Sequence, residues 1–153
     1  MEHFKPRIVV VDVAELFGRL ERVYGEVDGV GFSFVCEGEL FVDTDEDYLW
    51  TIMQNLTANA VKALRGVSGA AVVWRAWRGS GGLVVCSISD NGPGISASQV
   101  KALYDDDAAI TGARQGLGLH IIRDMAKAIG CVITLKAQPV GAAFELALAD
   151  HSA

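Results

Sequence analysis

Hydrophobic positions along this chain follow two rhythms, and the change from one to the other marks the elements. Steps of three and four recur over residues 13–24, where Val13, Leu16, Phe17, Leu20, Val23 and Tyr24 share one face. Asp12 stands just before that run as a helix cap. A second helical run covers residues 50–65, with Leu49, Met53, Leu56, Ala60 and Leu64 as its stripe and the acidic residues 43–47 supplying caps. A third opens at Gly116, buries Leu119, Ile122, Met125, Ala126 and Ile129, and stops at Gly130. Between them lie β-branched and alternating runs at 7–12, 31–36, 40–42, 70–78, 83–89, 132–137 and 142–149, which predict strands. Gly79-Ser80-Gly81-Gly82 joins two of these as a hairpin. Ser96 or Ser98 caps a short predicted helix running to Tyr104, and residues 105–115, with little apolar periodicity, read as a loop. Helices interrupting strands, with hairpins at the end, predict a mixed sheet carrying its helices on one face.

Composition narrows the class. A chain of 153 residues, 51% hydrophobic and 21% charged, is one folded domain with a full core. A net charge of −6 without a Lys/Arg cluster makes the chain a poor candidate for binding nucleic acid or an anionic membrane surface. No apolar run reaches the roughly 18 residues of a membrane span, and no signal-peptide pattern opens the chain. Cys36, Cys86 and Cys131 are odd in number, far apart and set in apolar runs, which predicts buried free thiols in a reducing compartment. The expectation is a cytoplasmic domain, monomeric in isolation.

Three stretches carry residues that chemistry can use. Asn55, Asn59 and Lys62 stand at i, i+4 and i+7 beside the apolar stripe of the second helix, so two carboxamides and an ammonium project together. Two asparagines in a helix middle cost roughly 0.5 kcal/mol each relative to alanine. Alone they read as a solvated edge; an amide oxygen and a lysine one turn apart also suit a Mg²⁺ ion and a phosphate. Asp90-Asn91-Gly92-Pro93-Gly94 is turn chemistry. It also offers an acceptor-only carboxylate for an amine and glycines that let backbone approach a flat base. Gly116-Leu117-Gly118 at a helix start is a weak phosphate-cradle signal that matches neither a Walker motif nor a dinucleotide fingerprint.

Taken in order, these stretches say more. Asn-x-x-x-Asn-Ala-x-Lys, then about 30 residues further on Asp90-Asn-Gly-Pro-Gly-Ile95, then a loop and Gly116-Leu-Gly-Leu119, resembles the N box and the two glycine boxes of the ATP-binding domain of sensor histidine kinases. That domain shares the Bergerat fold with gyrase, Hsp90 and MutL. The resemblance extends over nearly the whole chain; Asp43 and the Gly141-Ala-Ala-Phe-Glu-Leu-Ala-Leu148 stretch look like the family's flanking segments. It implies a two-layer α/β sandwich: a mixed, largely antiparallel sheet, three main helices on one face and an ATP lid over 104–115. It implies one domain over 1–153, with 1–6 as a linker from a dimerisation domain. The ligands implied are ATP and Mg²⁺. Asn59 would hold the metal with Asn55 one turn earlier, and Lys62 would meet phosphate. Asp90 would take the adenine amine, flanked by Gly92, Gly94 and Ile95. Tyr104, Gly116, Leu117, Gly118 and Leu119 would close the lid and phosphate side.

The chain departs from the family in its lid. No Phe-x-x-Phe box precedes the second glycine motif, three carboxylates stand at 105–107, and Arg114 replaces the first glycine of that motif. Arg114 either reaches the γ-phosphate or lies on the lid surface. None of His3, His120 and His151 sits in a phosphoacceptor motif, so the resemblance implies a catalytic piece acting on a histidine of an upstream dimerisation domain or of a separate protein, with a response regulator downstream. Two alternatives remain open here: a non-catalytic adaptor or phosphotransfer domain of the same fold, and a stand-alone Ser/Thr kinase of the anti-sigma-factor type. Position 55 separates the second. The hydrolases and anti-sigma kinases are similar to one another in carrying Glu there, a base that a hydroxyl or water needs and a neutral imidazole does not.

Overall fold

The computed structural model describes residues 5–95, 97, 100, 101, 117–136 and 138–153. Strands β1 (Val9–Asp12) and β3 (Phe41–Thr44) pair antiparallel as a two-stranded ribbon. The main sheet runs β2-β4-β5-β7-β6, built from Val30–Cys36, Ala70–Arg78, Leu83–Asp90, Ala143–Ala149 and Val132–Lys136. β2 and β4 are parallel, and the intervening β3 and helix supply the crossover such a pair needs; the other pairs are antiparallel. Helices α1 (Val13–Tyr24), α2 (Glu46–Ala63) and α3 (Leu117–Ala128) complete the fold. The predicted mixed sheet with three main helices is thus observed. The sequence expectation had not separated β1 and β3 from the main sheet. Their inward residues Val11 and Val42 are buried, while Val10 and Phe41 are exposed.

Alternation along the strands explains why one face is covered. In β4, Ala70, Val72, Trp74 and Ala76 are buried, and so are Val84, Cys86 and Ile88 in β5; the residues between them point to the open face. Trp74 is the centre of the covered side. Its ring packs against Phe17 of α1 at 5.7 Å between centroids, and its Nε1 donates to Thr57 Oγ1 at 3.0 Å. Thr57 in turn donates to the Met53 carbonyl at 2.7 Å. Helices α1 and α2 therefore meet over one indole, with every buried polar atom of that group paired. At the surface, Arg19 lies 4.2 Å above the Trp50 ring and ties the same two helices together.

Two boundaries differ from the sequence expectation for one reason. Helix α2 begins at Glu46, not residue 50, because Asp45 is its cap: Oδ1 accepts from Tyr48 N at 3.1 Å, while Oδ2 accepts from Arg7 N at 2.7 Å. β3 likewise runs on to Thr44 because it pairs with β1 through Val9. The expected helix to Tyr104 and the lid at 104–115 fall outside the described residues, save that 97, 100 and 101 are helical. Among the described residues no helix is long and apolar enough to cross a membrane.

The chain end closes onto the ribbon. Asp150 bridges to Val42 and pairs with Arg78 Nε at 2.7 Å, and His151 Nδ1 lies 2.7 Å from Asp43 Oδ1. The Arg78 hydrogen bond, helped by Ser152, holds the Asp150 carboxyl below its ordinary value. Of the cysteines, Cys86 and Cys131 are buried as expected, and loss of hydration drives both thiols upward, Cys131 to about 12. Cys36, at the end of the edge strand, is only half-buried.

Candidate functional site

A cleft opens between α2, α3 and the ends of β5 and β7. It holds about 450 Å³ of empty space, its open mouth included. The α2 wall is Leu56, Asn59, Ala60 and Ala63; the sheet floor is Ile88, Ala142 and Phe144; Leu119 of α3 closes the far side. Asp90, Gly94 and Ile95 form the end at which β5 leaves the sheet. The lining is apolar apart from two side chains, the amide of Asn59 and the carboxylate of Asp90. A flat heterocycle with an amine at one end and a charged group at the other suits such a slot.

The strand end at Asp90 is heavily tied. Its N–H donates to Ala142 O at 2.9 Å, and its Oδ1 accepts from Gly92 N at 2.8 Å. Oδ2 has no bond among the described residues and is free to accept from a ligand. Asn91 fastens the same turn to the start of β4: its Oδ1 accepts from Ala71 N at 2.8 Å and its Nδ2 donates to Gly69 O at 2.9 Å. Gly141 lies against the Asp90 carbonyl with φ of 77°, and a Cβ there would run into it. Position 141 accepts only glycine on both counts.

Asn59 stands on α2 beside the first turn of α3. A Cβ on Gly118 would sit 3.6 Å from both Oδ1 and Nδ2 of Asn59, so helix backbone approaches that amide with no side chain between. The α3 N-terminus adds its positive dipole end on the same side. Among the described residues no three His, Cys, Asp or Glu side chains gather as a metal cage. Asn59 offers a neutral oxygen at the cleft, which fits a Mg²⁺ that keeps waters and takes its remaining ligands from phosphates.

The structure brings together some of the sequence-derived candidates and sets others apart. Asn59, Asp90, Gly94, Ile95 and Leu119 line the cleft; Gly92 and Gly118 pack against Asp90 and Asn59. Asn55 is half-buried one turn earlier and does not line the cleft: its Nδ2 donates back to Thr51 O at 2.7 Å, which leaves Oδ1 as its outward group. Lys62 is exposed near the end of α2, outside the lining. Tyr104, Arg114 and Gly116, with the carboxylates at 105–107, lie outside the described residues, as does the side chain of Leu117. Missed in the sequence were Leu56, Ala60, Ala63, Ile88, Ala142 and Phe144. A signal existed for Ile88, two residues before Asp90 on the same strand face, and for Phe144, its partner across β5 and β7.

Comparison with known proteins gives the family and the fold. The family model described as histidine kinase-, DNA gyrase B-, and HSP90-like ATPase matches residues 44–151. The sensor histidine kinase DcuS of Escherichia coli K12 is 28% identical over 92 residues, 60% of this chain and 17% of that protein. The sensor histidine kinase ZraS of Escherichia coli O157:H7 is 31% identical over 106 residues, 69% of this chain and 22% of that protein. The chain thus spans about a fifth of the length of these relatives. Among solved structures, the mycobacterial sensor histidine kinase MprB superposes with a TM-score of 0.73 at 25% identity, covering 94% of this chain and 98% of that one. The catalytic domain of histidine kinase ThkA gives 0.77 at 20% identity, covering 94% and 95%, which shows a common fold.

Proposed function

The chain belongs to the family of histidine kinase-, DNA gyrase B- and HSP90-like ATPases, and from that premise we propose that it binds ATP with Mg²⁺ in the cleft and passes the γ-phosphoryl group to a histidine outside this chain. The observation that carries the reading is the pairing of Asp90 and Asn59 at separate points of one apolar slot. Asp90 Oδ2 accepts the adenine amine, and Ile88, Ile95, Leu119 and Phe144 bury the ring. Asn59 supplies one oxygen to Mg²⁺. Lys62 and the amides of Leu117 and Gly118 at the start of α3 neutralise phosphate oxygens, and the family resemblance assigns Tyr104, Arg114 and Gly116 to the lid and phosphate side. When bound, the metal supplies charge neutralisation at the phosphates. The chain's own contribution is positioning and electrostatics.

Residues 1–153 then form one domain of a sensor kinase, working on the cytoplasmic side where ATP is found. Its partners are a helical dimerisation domain with the phosphoacceptor histidine and a downstream response regulator. Asn55 favours histidine over serine as the acceptor. An amide cannot take a proton from a hydroxyl, whereas imidazole attacks without help near neutral pH.

Calorimetric titration with ATP, with and without Mg²⁺, tests the binding. Asn59→Ala is expected to abolish the metal dependence while keeping Mg²⁺-independent affinity. No ATP binding by the wild-type chain refutes the reading in favour of an adaptor. Incubation with a dimerisation domain and labelled ATP tests the acceptor: the label must be acid-labile and base-stable, as a phosphohistidine is. Acid-stable label on serine points to the anti-sigma-factor type instead.

A further inference from the structure

We infer that Gln138, in the loop between β6 and β7, is a positioning residue for Asp90 and thereby sets how strongly the site prefers adenine. The inference rests on the reading of Asp90 as the acceptor for the adenine amine. Gln138 Nε2 donates to the backbone carbonyl of Asp90 at 3.1 Å and to Val140 O at 2.8 Å. One amide group thus curls its own loop and clasps the pocket residue.

The second bond fixes the first. By holding Val140 O, Gln138 shapes the turn that sets Gly141 against the Asp90 carbonyl and carries Ala142 O to the Asp90 N–H at 2.9 Å. Gly94 joins the same cluster: a Cβ there would stand 3.4 Å from Gly141 O. Backbone N–H and C=O of Asp90 are therefore both held by the 138–142 segment, and the side chain by Gly92 N. Asp90 is the last residue of β5; β4 flanks it through Val72 and the Asn91 N–H bond to Ala71 O, but on the β7 side the regular ladder ends at Ser89, so there its backbone is held by the 138–142 segment. A carboxylate that must meet one amine needs its backbone fixed to within about 0.5 Å. Gln138 itself is half-buried, beside the cleft and away from the core, and touches no cleft-lining side chain through these bonds.

The test compares ATP with purine riboside triphosphate, which carries hydrogen where adenine carries the amine, both with Mg²⁺ and titrated into the 153-residue chain. In Gln138→Met, ATP affinity is expected to fall about 10-fold while that for the purine analogue changes less than about 2-fold, one hydrogen bond's worth of misalignment. Gln138→Lys restores a donor and recovers most of the ATP preference. A fall shared equally by both nucleotides, or no fall, overturns the positioning role, and so does a lysine variant that behaves like methionine. Gln138→Leu, which also lacks a donor, gives the same ratio should the methionine variant not fold. If the wild type binds both nucleotides alike, the Asp90 reading itself fails; a wild-type preference that persists in Gln138→Met refutes the role of Gln138 alone.

Discussion

Replacing Asp90 by asparagine changes one atom and is the most direct trial of the cleft. In the structure Oδ1 is committed to Gly92 N at 2.8 Å, so the group left to face a ligand is Oδ2. In Asp90→Asn the amide oxygen stays with the Gly92 N–H, and the NH₂ takes the place of Oδ2. A donor then meets the adenine amine, itself a donor. The loss is a charge-assisted hydrogen bond, with a repulsive contact added, together about 3 kcal/mol or about 100-fold in Kd. Calorimetry with ATP and Mg²⁺ reads it, with thermal melting alongside to show that the fold survives. Asn91 next door is the internal control. Its two bonds, to Ala71 N and Gly69 O, hold the turn and face no ligand. Asn91→Ala should lower stability by about 1–2 kcal/mol and change ATP affinity less than about 3-fold. An Asp90→Asn protein that binds ATP within about 3-fold of wild type would refute the assignment of the amine site. So would an exchange of effects between the two neighbours, with Asn91→Ala losing ATP and Asp90→Asn losing only stability.

Thr57→Val leaves the fully buried Trp74 Nε1 without its acceptor and should cost about 1–3 kcal/mol in urea unfolding. Combined with Trp74→Phe the cost should shrink, and additive losses would argue against that bond. The Asp150 carboxyl is held below its ordinary value of 3.8, chiefly by Arg78, so its stabilisation is present above that value and is lost as pH falls through the lowered one. Arg78→Met should therefore unfold more easily than wild type at about pH 5–7, with the gap narrowing below about pH 3.8; a gap independent of pH contradicts the linkage. A thiol reagent at about pH 8 should label native Cys36 slowly and spare Cys86 and Cys131 until denaturant is added, because burial raises both thiols and blocks access. Labelling of all the thiols in the native state would show a more open core.

How much of this was legible depended on whether a residue's partner was near in sequence or in space. Helix α1 was readable to the residue, because Asp12 caps it locally and its apolar face repeats at helical spacing. The β4–β5 hairpin was equally local, set by glycines at 81 and 82 that adopt positive φ. The start of α2 was not, since the choice of Asp45 over its acidic neighbours comes with a bond from Arg7, 38 positions away. In the site, Asn59 and Asp90 were found by residue type and order. Asn91 was seen only as a turn residue, and Gln138 carried no signal at all, because a glutamine in a surface loop is ordinary until its acceptor is known. Arg123, buried on α3 against Asp124, was hidden in the same way: a charge at that spacing normally reads as a solvated flank.

The two polar groups of the cleft are held by different parts of the fold, and this bears on which nucleophile the domain can serve. Asp90 is fastened by the turns around it, so its end of the slot, the proposed adenine end, is set before any ligand arrives. Asn59 rides on α2, a helix anchored by Asp45 at its start and by the Thr57–Trp74 pair at its middle. That rigidity passes to Asn55 one turn away, whose amide is locked by its bond to Thr51 O. An amide so held can orient a water or a phosphoryl oxygen through Oδ1, but it has no basic lone pair with which to take a proton. If the proposed nucleotide sits as inferred, a glutamate at 55 would bring a base toward the phosphates and invite water to compete for the γ-phosphoryl group. On the proposed reading, asparagine leaves no such base there, and transfer would wait for a nucleophile that arrives already deprotonated. Imidazole meets that condition near pH 7 and a serine hydroxyl does not.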